Sequence, residues 1–279
     1  MAEWLETYRG IVNAWETDTV EHFTIAYYFD RFADAGANFL DLAGVPDDGI
    51  GAPSRLHATF QHELRAGAGF HILSAVTRLD GDTLHIGHQV TESTAGTPVT
   101  WVTQVQALSA SMSAETRQNL QAHLVEWPGP KLPEFRPVKA GQGLLTGRDR
   151  VKPWEIAEGG ALSLPGHVHR FSAAALQSLS AIGITSAYMQ EQRRGFSTFE
   201  LDLALTRGAK VAERTDVRTA VAHLGTSSLR IVHCMTDRDG QELATLSQAG
   251  VHLDMDARRS TRIPDELRAM ASKLLIKDA

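Results

Sequence analysis

The sequence has one cysteine, no run of basic residues and no long uncharged apolar stretch. With Cys234 alone, no internal disulfide and no paired-cysteine metal or redox motif can form, which favours a reducing cytoplasm as the compartment. The 27 lysines and arginines are outnumbered by 33 aspartates and glutamates, and this net charge of −6 argues against a nucleic-acid or membrane-surface partner. The N-terminus lacks the layout of a secretory signal, and the longest uncharged stretch, residues 171–190, is too rich in serine, threonine and glutamine for a membrane span.

The sequence contains an internal repeat, which has to be identified before any motif is interpreted. Three features recur 139 positions later: Trp15-Glu16 as Trp154-Glu155, Arg31-Phe32 as Arg170-Phe171, and Gly44 as Gly183. A Leu-x-Ile-x-His pattern at 84–88 returns at 229–233, which is 145 positions later. The repeat therefore spans the chain and predicts a first domain over 1–126, a linker over 127–145 that carries four prolines, and a second domain over 146–279.

Each half shows the same order of predicted elements. Apolar residues recur at steps of three or four from Ile25 to Ala43 and again from Val168 to Ile182, which predicts one long helix per half, each ending at a glycine. Gly36 inside the first helix indicates a close approach to a sheet. Residues with a period of two then predict antiparallel strands, as listed here: Phe60, His62, Leu64; Leu84, Ile86, His88, Val90; Val99, Trp101, Thr103, Val105; Phe199, Leu201, Leu203, Leu205.

A long helix followed by about four antiparallel strands, occurring twice, predicts an α+β fold in which each sheet wraps its own helix. Asp-Gly sequences at 80–81 and 239–240 predict two of the hairpin turns. We expect the two halves to pair edge to edge as a pseudo-dimer, because this removes exposed strand edges; further homo-oligomers remain open.

Ionisable side chains gather immediately before the first helix, at Asp18, Glu21 and His22. A carboxylate at a helix start can be held ionised, and the unpaired N–H groups of the first turn can polarise a carbonyl oxygen, which suits acyl transfer. Alternatively, Asp18, Glu21 and Thr24 only cap the helix and match its charge. The residues alone leave both interpretations open.

The run Asp18-x-x-x-His22, followed by a helix that bears Tyr27 and Tyr28, resembles the Asp-x-x-Gly-His-x-Asn segment of hotdog-fold acyl-CoA thioesterases, the group that includes 4-hydroxybenzoyl-CoA thioesterase. Residues 60–90 and 96–107 resemble the strands of that family. This resemblance implies a tandem double hotdog that hydrolyses an acyl-CoA to a free acid and CoA without a cofactor. The chain departs from the family pattern in having Glu21 where Gly is common and Thr24 where Asn is common.

The resemblance also implies roles for residues. Asp18 is expected to act as general base or nucleophile, while backbone N–H groups near Phe23 and Thr24 bind the substrate oxyanion. His22 either orients water or substrate or is structural, and Glu21 is a second candidate base.

The second half has Ala157 at the place of Asp18, which predicts one working site per chain, with the second half supplying pocket walls.

Two other functions are compatible with parts of the pattern. An enoyl-thioester hydratase would resemble Asp-x-Asn-Pro-x-His, whereas here His22 follows Asp18 by four residues without Asn-Pro. A non-catalytic acyl-thioester binding module would explain the missing acid of the second half.

No metal site is expected, because the histidines do not form a complete ligand set, and Cys234 is expected to be a buried, inert thiol. Four arginines could meet CoA phosphates without being assigned to a site: Arg55, Arg65, Arg193 and Arg194.

Overall fold

The computed structural model describes residues 4–18, 20–46, 49–134 and 141–276. The chain forms two compact units, Met1–Pro133 and Glu134–Ala279. The division lies inside the predicted linker, of which residues 135–140 lie outside the described part. Within the described ranges, no helix is both long enough and apolar enough to cross a bilayer.

The first unit is a five-stranded antiparallel sheet packed around one long helix. The helix α1 spans Ile25–Leu42, and a short helix α2 spans Ala114–Ala122. The strands are β1 Leu5–Ile11, β2 Ile50–Phe60, β3 Gly69–Asp80, β4 Thr83–Glu92 and β5 Thr97–Leu108. Their order in the sheet is β1-β3-β4-β5-β2, and a 3-10 turn at Ala14–Glu16 lies between β1 and α1.

The second unit repeats this plan. Its helices are α3 Leu164–Ala181, α4 Ser186–Gln192 and α5 Asp265–Ser272, with a 3-10 turn at Pro153–Glu155 before α3. Its strands are β6 Leu144–Arg150, β7 Arg194–Leu205, β8 Arg214–Leu224, β9 Ser228–Thr236, β10 Glu242–Asp254 and the short β11 Arg259–Ser260. The order β6-β8-β9-β10-β7 matches that of the first unit, and β11 pairs with β10. The predicted α+β fold and its twofold repeat are therefore confirmed.

Helix α1 forms where its apolar spacing predicts it. Phe29, Phe32 and Phe39 are fully buried on one face, so the helix is stabilised mainly by packing on its sheet. Gly44 follows the helix with φ +67°, as a left-handed C-terminal residue should. A Cβ on Gly36 would lie 2.9 Å from the Gln104 side chain of β5, which confirms the expected close approach.

A buried polar row crosses each sheet beneath its helix. In the first unit, hydroxyl contacts of 2.7 Å join Thr7 to Ser74 and Ser74 to the His88 Nδ1 atom. The second unit repeats the row, with a 2.8 Å contact between Thr219 and His233 Nδ1. Burial lowers the pKa of His88 to about 4 and that of His233 to about 3, so both rings are neutral at pH 7.

Two predicted strand patterns and the linker differ in the structure. The series Phe60, His62, Leu64 starts at the last residue of β2 and continues into a loop. In β5 the face toward Gly36 carries glutamine and threonine, because the polar row continues there. Trp127, in the predicted linker, packs edge-on against Trp101 at 5.3 Å and so belongs to the first unit.

Candidate active site

The segment before each long helix is anchored by the same ion pair. Glu16 is 3% exposed; its carboxylate accepts the Asn13 N–H at 2.8 Å and pairs with Arg31 of α1 at 2.6 Å. Glu155 and Arg170 form the same pair at 2.8 Å in the second unit. The hydrogen bond from Arg170 holds the pKa of Glu155 below its usual range. The recurring Trp-Glu and Arg-Phe sequences thus encode a clamp that fixes this loop to the helix.

Asp18 begins a tight turn that ends at His22. The Asp18 N–H donates to the His22 carbonyl at 2.9 Å, which closes the turn. The Asp18 Oδ1 atom accepts the backbone N–H groups of Val20 at 2.9 Å and of His22 at 3.1 Å. These two bonds orient an exposed carboxylate, and among the described residues of the turn they use its Oδ1 atom and not Oδ2.

Glu21 occupies a backbone conformation that favours glycine. Its φ is +65°, in the left-handed region, and its side chain is exposed. The corresponding residue of the second unit is Gly160 with φ +74°, and the N–H groups of both residues donate to matching carbonyls, of Asp18 at 3.0 Å and Ala157 at 2.9 Å. The departure from glycine at Glu21 therefore preserves the turn and adds strain.

His22 is held against a carboxylate that the sequence analysis did not single out. Its Nε2 atom lies 2.8 Å from Glu63 Oε1, with side-chain exposures of 12% and 35%. Glu63 stands on the loop between β2 and β3, which reaches the turn because Phe23 N–H donates to Leu64 O at 2.8 Å. The second oxygen of Glu63 is 3.3 Å from Arg65. The structure thus brings Asp18, His22 and Glu63 together at one end of the first sheet.

The second unit keeps this framework without the three polar side chains. Its Leu162 N–H donates to Ala209 O at 2.8 Å, matching the bond from Phe23 to Leu64 and fixing the correspondence of the loops. The counterparts are all small: Ala157 for Asp18, Ala161 for His22 and Gly208 for Glu63. A Cβ on Gly208 would lie 2.5 Å from the Ala161 Cβ, so the place of the polar pair is closely packed. Aligning the loops at an offset of 145 would have identified Glu63 from the sequence.

The structure corrects the predicted oxyanion donors. The Phe23 N–H donates to Leu64 O, and the Thr24 N–H donates to Glu16 O at 2.8 Å, so both groups are already used. Thr24 is the N-terminal cap residue of α1, but its hydroxyl does not cap the helix. The first N–H groups that helix geometry leaves without an intrahelical acceptor begin at Ile25, which is half-buried.

Other candidate groups are placed away from this site. Cys234 is buried in β9, and burial raises the pKa of its thiol to about 11, as expected for an inert cysteine. Across the described ranges, no three or more His, Cys, Asp or Glu side chains are grouped so that they could hold a metal ion.

Comparison with protein families identifies both halves of the chain. The model of the thioesterase-like superfamily matches residues 12–140 and 151–270, which together cover most of the sequence. The comparison with curated protein sequences finds no match.

Solved structures share the fold over most of the chain. An acyl-ACP thioesterase from Bacteroides thetaiotaomicron superposes with a TM-score of 0.68 at 8% identity, covering 87% of this chain and 96% of its own. A 12:0-ACP thioesterase from Umbellularia californica gives a TM-score of 0.66 at 11% identity, covering 88% of this chain and 93% of its own. At these identities the likeness concerns the fold, which is a tandem hotdog.

Proposed function

Because the chain belongs to the thioesterase-like superfamily, we propose that it hydrolyses an acyl-CoA thioester at the start of α1, with Asp18 as the general base or nucleophile. One observation carries the proposal. Asp18, His22 and Glu63 occur together in the first half, while the second half retains the same turn, clamp and loop contacts with Ala157, Ala161 and Gly208 in their places. A purely structural role would not explain why the three groups are present in one half and absent in the other.

The proposed reaction begins with a thioester carbonyl at the helix start. The Asp18 Oδ1 atom is held by two N–H groups, so Oδ2 is the oxygen that takes a proton from water or attacks the carbonyl carbon itself. The carbonyl π electrons move onto oxygen, and the N–H of Ile25 is the donor we propose for that oxyanion in place of Phe23 and Thr24. When the carbonyl re-forms, the C–S bond breaks and the thiolate leaves with little acid assistance. If Asp18 acts as base, the proton that it took from water passes to the departing thiolate. If Asp18 attacks directly, water then hydrolyses the acyl-aspartyl anhydride to the free acid and restores the carboxylate.

His22 is proposed to orient the attacking water or the substrate. Its backbone N–H bonds Asp18 and its ring is fixed by Glu63, so the imidazole and the reacting carboxylate belong to one turn. Glu21 remains the second candidate base. Its side chain is exposed at the top of the turn, whereas Asp18 is the carboxylate that backbone donors orient. This difference favours Asp18.

The acyl donor is proposed to be a CoA thioester, and two solved relatives in fold act on acyl-ACP by their names, so acyl carrier protein belongs in the substrate panel. The reaction as proposed uses water and the chain's own residues without a cofactor. The single, buried, protonated Cys234 is consistent with a reducing cytoplasm, which we propose as the compartment.

A thioesterase assay on a panel of acyl-CoA and acyl-ACP substrates tests the proposal. The wild type is expected to release thiol from at least one substrate, and Asp18→Asn should lower kcat by about a hundredfold or more. Thermal unfolding of both proteins checks that the turn survives, since asparagine can still accept the two N–H bonds. Full turnover by Asp18→Asn would transfer the role to Glu21 or another site, and no turnover by the wild type would favour a binding module.

A further inference from the structure

The second unit contains a cleft of about 460 Å³ at the end of its sheet. The cleft lies between the end of β6, the β7–β8 loop and the β9–β10 turn. Its charged lining consists of five cations and three acids: Arg150, Arg207, Lys210, Arg214, Arg238, Glu213, Asp237 and Asp239. The net charge of this lining is therefore positive, in a chain whose net charge is −6.

Of the five cations of the second unit, only Lys210 has a lysine or arginine at the corresponding position of the first unit, which is Arg65. The β7–β8 loop corresponds to the β2–β3 loop at an offset of 145, and the ends of β1 and β6 correspond at 139. At the positions of the five cations the first unit has Ile11, His62, Arg65, Gly69 and Ser93. The β2–β3 loop of the first unit has Glu63. The corresponding position of the β7–β8 loop is Gly208, which lies between Arg207 and Lys210.

Internal pairing uses up the acids but not the cations. Arg207 bonds both Glu213 at 2.6 Å and Asp237 at 2.8 Å, so two of the three acids share one guanidinium group. The Lys210 ammonium forms no ion pair with any residue in the described ranges. Arg238 is 76% exposed, and among the residues that the structure describes its guanidinium pairs only with Asp239, at 3.3 Å.

Two further guanidinium groups donate to backbone carbonyls, and Arg214 in addition forms a long ion pair with Asp216. Arg150 donates to the Ala212 carbonyl at 2.9 Å, and Arg214 donates to the Arg238 carbonyl at 3.2 Å. The buried Nε atom of Arg214 has no hydrogen-bond partner among the described residues; Asp216 lies 3.6 Å away and is already bound by Arg148 at 2.9 Å. With five cations against three acids, the lining keeps a net charge of 5 − 3 = +2.

The backbone of the cleft is also held in an unusual conformation. Ala212 has φ +62°, where its counterpart in the first unit is Gly67 with φ +86°. A left-handed alanine costs about 1 kcal/mol. Its N–H donates to Val151 O at 2.9 Å, and its carbonyl accepts a hydrogen bond from Arg150. These two bonds hold the strained residue, and with it the β7–β8 loop, in place at the cleft.

We propose that this cleft binds the phosphate groups of an organic polyphosphate. Phosphate oxygens accept several charge-assisted hydrogen bonds at once, which is what guanidinium and ammonium groups around a concave wall provide. Two sources of such a group are compatible with the cleft, the nucleotide end of a CoA thioester and a free nucleotide that acts as an effector. The binding site itself does not depend on the hydrolysis proposed above.

Titration calorimetry of the full-length protein tests the site, with inorganic pyrophosphate, ADP and coenzyme A as probes. We expect one pyrophosphate per chain, bound more weakly as salt is raised. The double variant Lys210→Gln/Arg238→Gln should bind at least about tenfold more weakly, because its two cations support no internal ion network. Arg262→Gln, which removes an exposed arginine paired with Asp265 elsewhere in the same unit, is the matched control and should bind as the wild type does.

The outcomes show first whether the cleft binds phosphate groups, and then whether these groups belong to the substrate or to an effector. If wild type does not bind pyrophosphate, or if the double variant binds it as well as Arg262→Gln does, the proposed site is wrong. Binding by Asp18→Asn should equal that of wild type, which keeps this test distinct from the test of hydrolysis. If the bound phosphates belong to the substrate, the double variant has a higher KM for an acyl-CoA than the wild type and the same kcat. If they belong to an effector, the wild type binds ADP with the same affinity in the presence and absence of saturating coenzyme A.

Discussion

At the scale of single residues, Glu63 is the group that the structure adds to the site. Its carboxylate fixes the His22 ring at 2.8 Å, and both are absent from the second unit. We expect Glu63→Gln to lower kcat by about tenfold with little change in KM, since the ring loses its charged partner but remains in place. Glu115→Gln, an exposed residue of α2, is the control. Steady-state kinetics on the preferred substrate would contradict the role of Glu63 if both variants matched wild type.

Glu21 offers a second test at this scale. The strain in its backbone predicts that glycine keeps or raises stability, whereas a catalytic role of its side chain predicts that glycine lowers kcat. Glycine relieves the left-handed strain at φ +65°, so Glu21→Gly should keep or raise the free energy of unfolding, by up to about 1 kcal/mol. If Asp18 is the base, this variant also keeps kcat. Urea unfolding and turnover are measured on the same preparation, and a large loss of kcat in a stable protein would assign the base to Glu21.

The sequence singles out Asp18 and His22 as candidates because both lie in one short motif, and their roles stay a prediction. The sequence analysis did not single out Glu63, since only the fold brings the β2–β3 loop to the turn. It also misplaced the oxyanion donors. The acceptors that use up the N–H groups of Phe23 and Thr24 are carbonyls of other segments, and no local pattern reports them.

At the scale of elements, the clamp between the loop and α1 is the contact most sensitive to substitution. Arg31→Leu would leave the nearly buried Glu16 carboxylate without its cation, at a cost of about 3 kcal/mol in unfolding free energy. Arg9→Leu removes an arginine from the exposed pair with Glu6 and should leave stability unchanged. Equal urea midpoints for the two variants would contradict the structural role assigned to the repeated Glu and Arg.

The buried polar rows predict how stability depends on pH. The folded pKa values of His88 and His233, about 4 and about 3, lie below the value of 6.5 for an unperturbed histidine. The unfolded chain therefore binds protons first, so stability is complete above pH 6.5 and declines as the pH falls toward 4, by up to about 1.4 kcal/mol per pH unit and ring. His233→Gln should flatten this decline, and the exposed His223→Gln should not. Unfolding free energies between pH 7 and 4.5 decide between these outcomes.

Element prediction succeeded where apolar spacing decides the structure, as in α1 from Ile25 and in the turn at Gly81. It was less accurate in β5, because the buried face there carries the polar residues Thr100, Gln104 and Gln106 beside Val102. Periodicity of hydrophobic residues cannot identify a face that is buried and polar.

At the scale of the whole molecule, two copies of one framework carry different chemical groups. The clamp, the turn and the strand order recur, while the three polar groups occur in the first unit and the basic cleft in the second. The repeat made the tandem α+β arrangement predictable from the sequence, and the resemblance of the segment from Asp18 to His22 added the hotdog fold. Edge-to-edge pairing of the halves stays a prediction of the sequence analysis.

The central claim is that thioester hydrolysis takes place in the first half through Asp18. Moving the carboxylate between the two matched turns tests this most directly, with kcat measured for Asp18→Ala, Ala157→Asp and the double variant. We expect Asp18→Ala and the double variant to be inactive and Ala157→Asp to turn over like wild type, since Ala161 and Gly208 supply no partner groups in the second half. Substantial turnover by Asp18→Ala, or its recovery in the double variant, would show that Asp18 is not required.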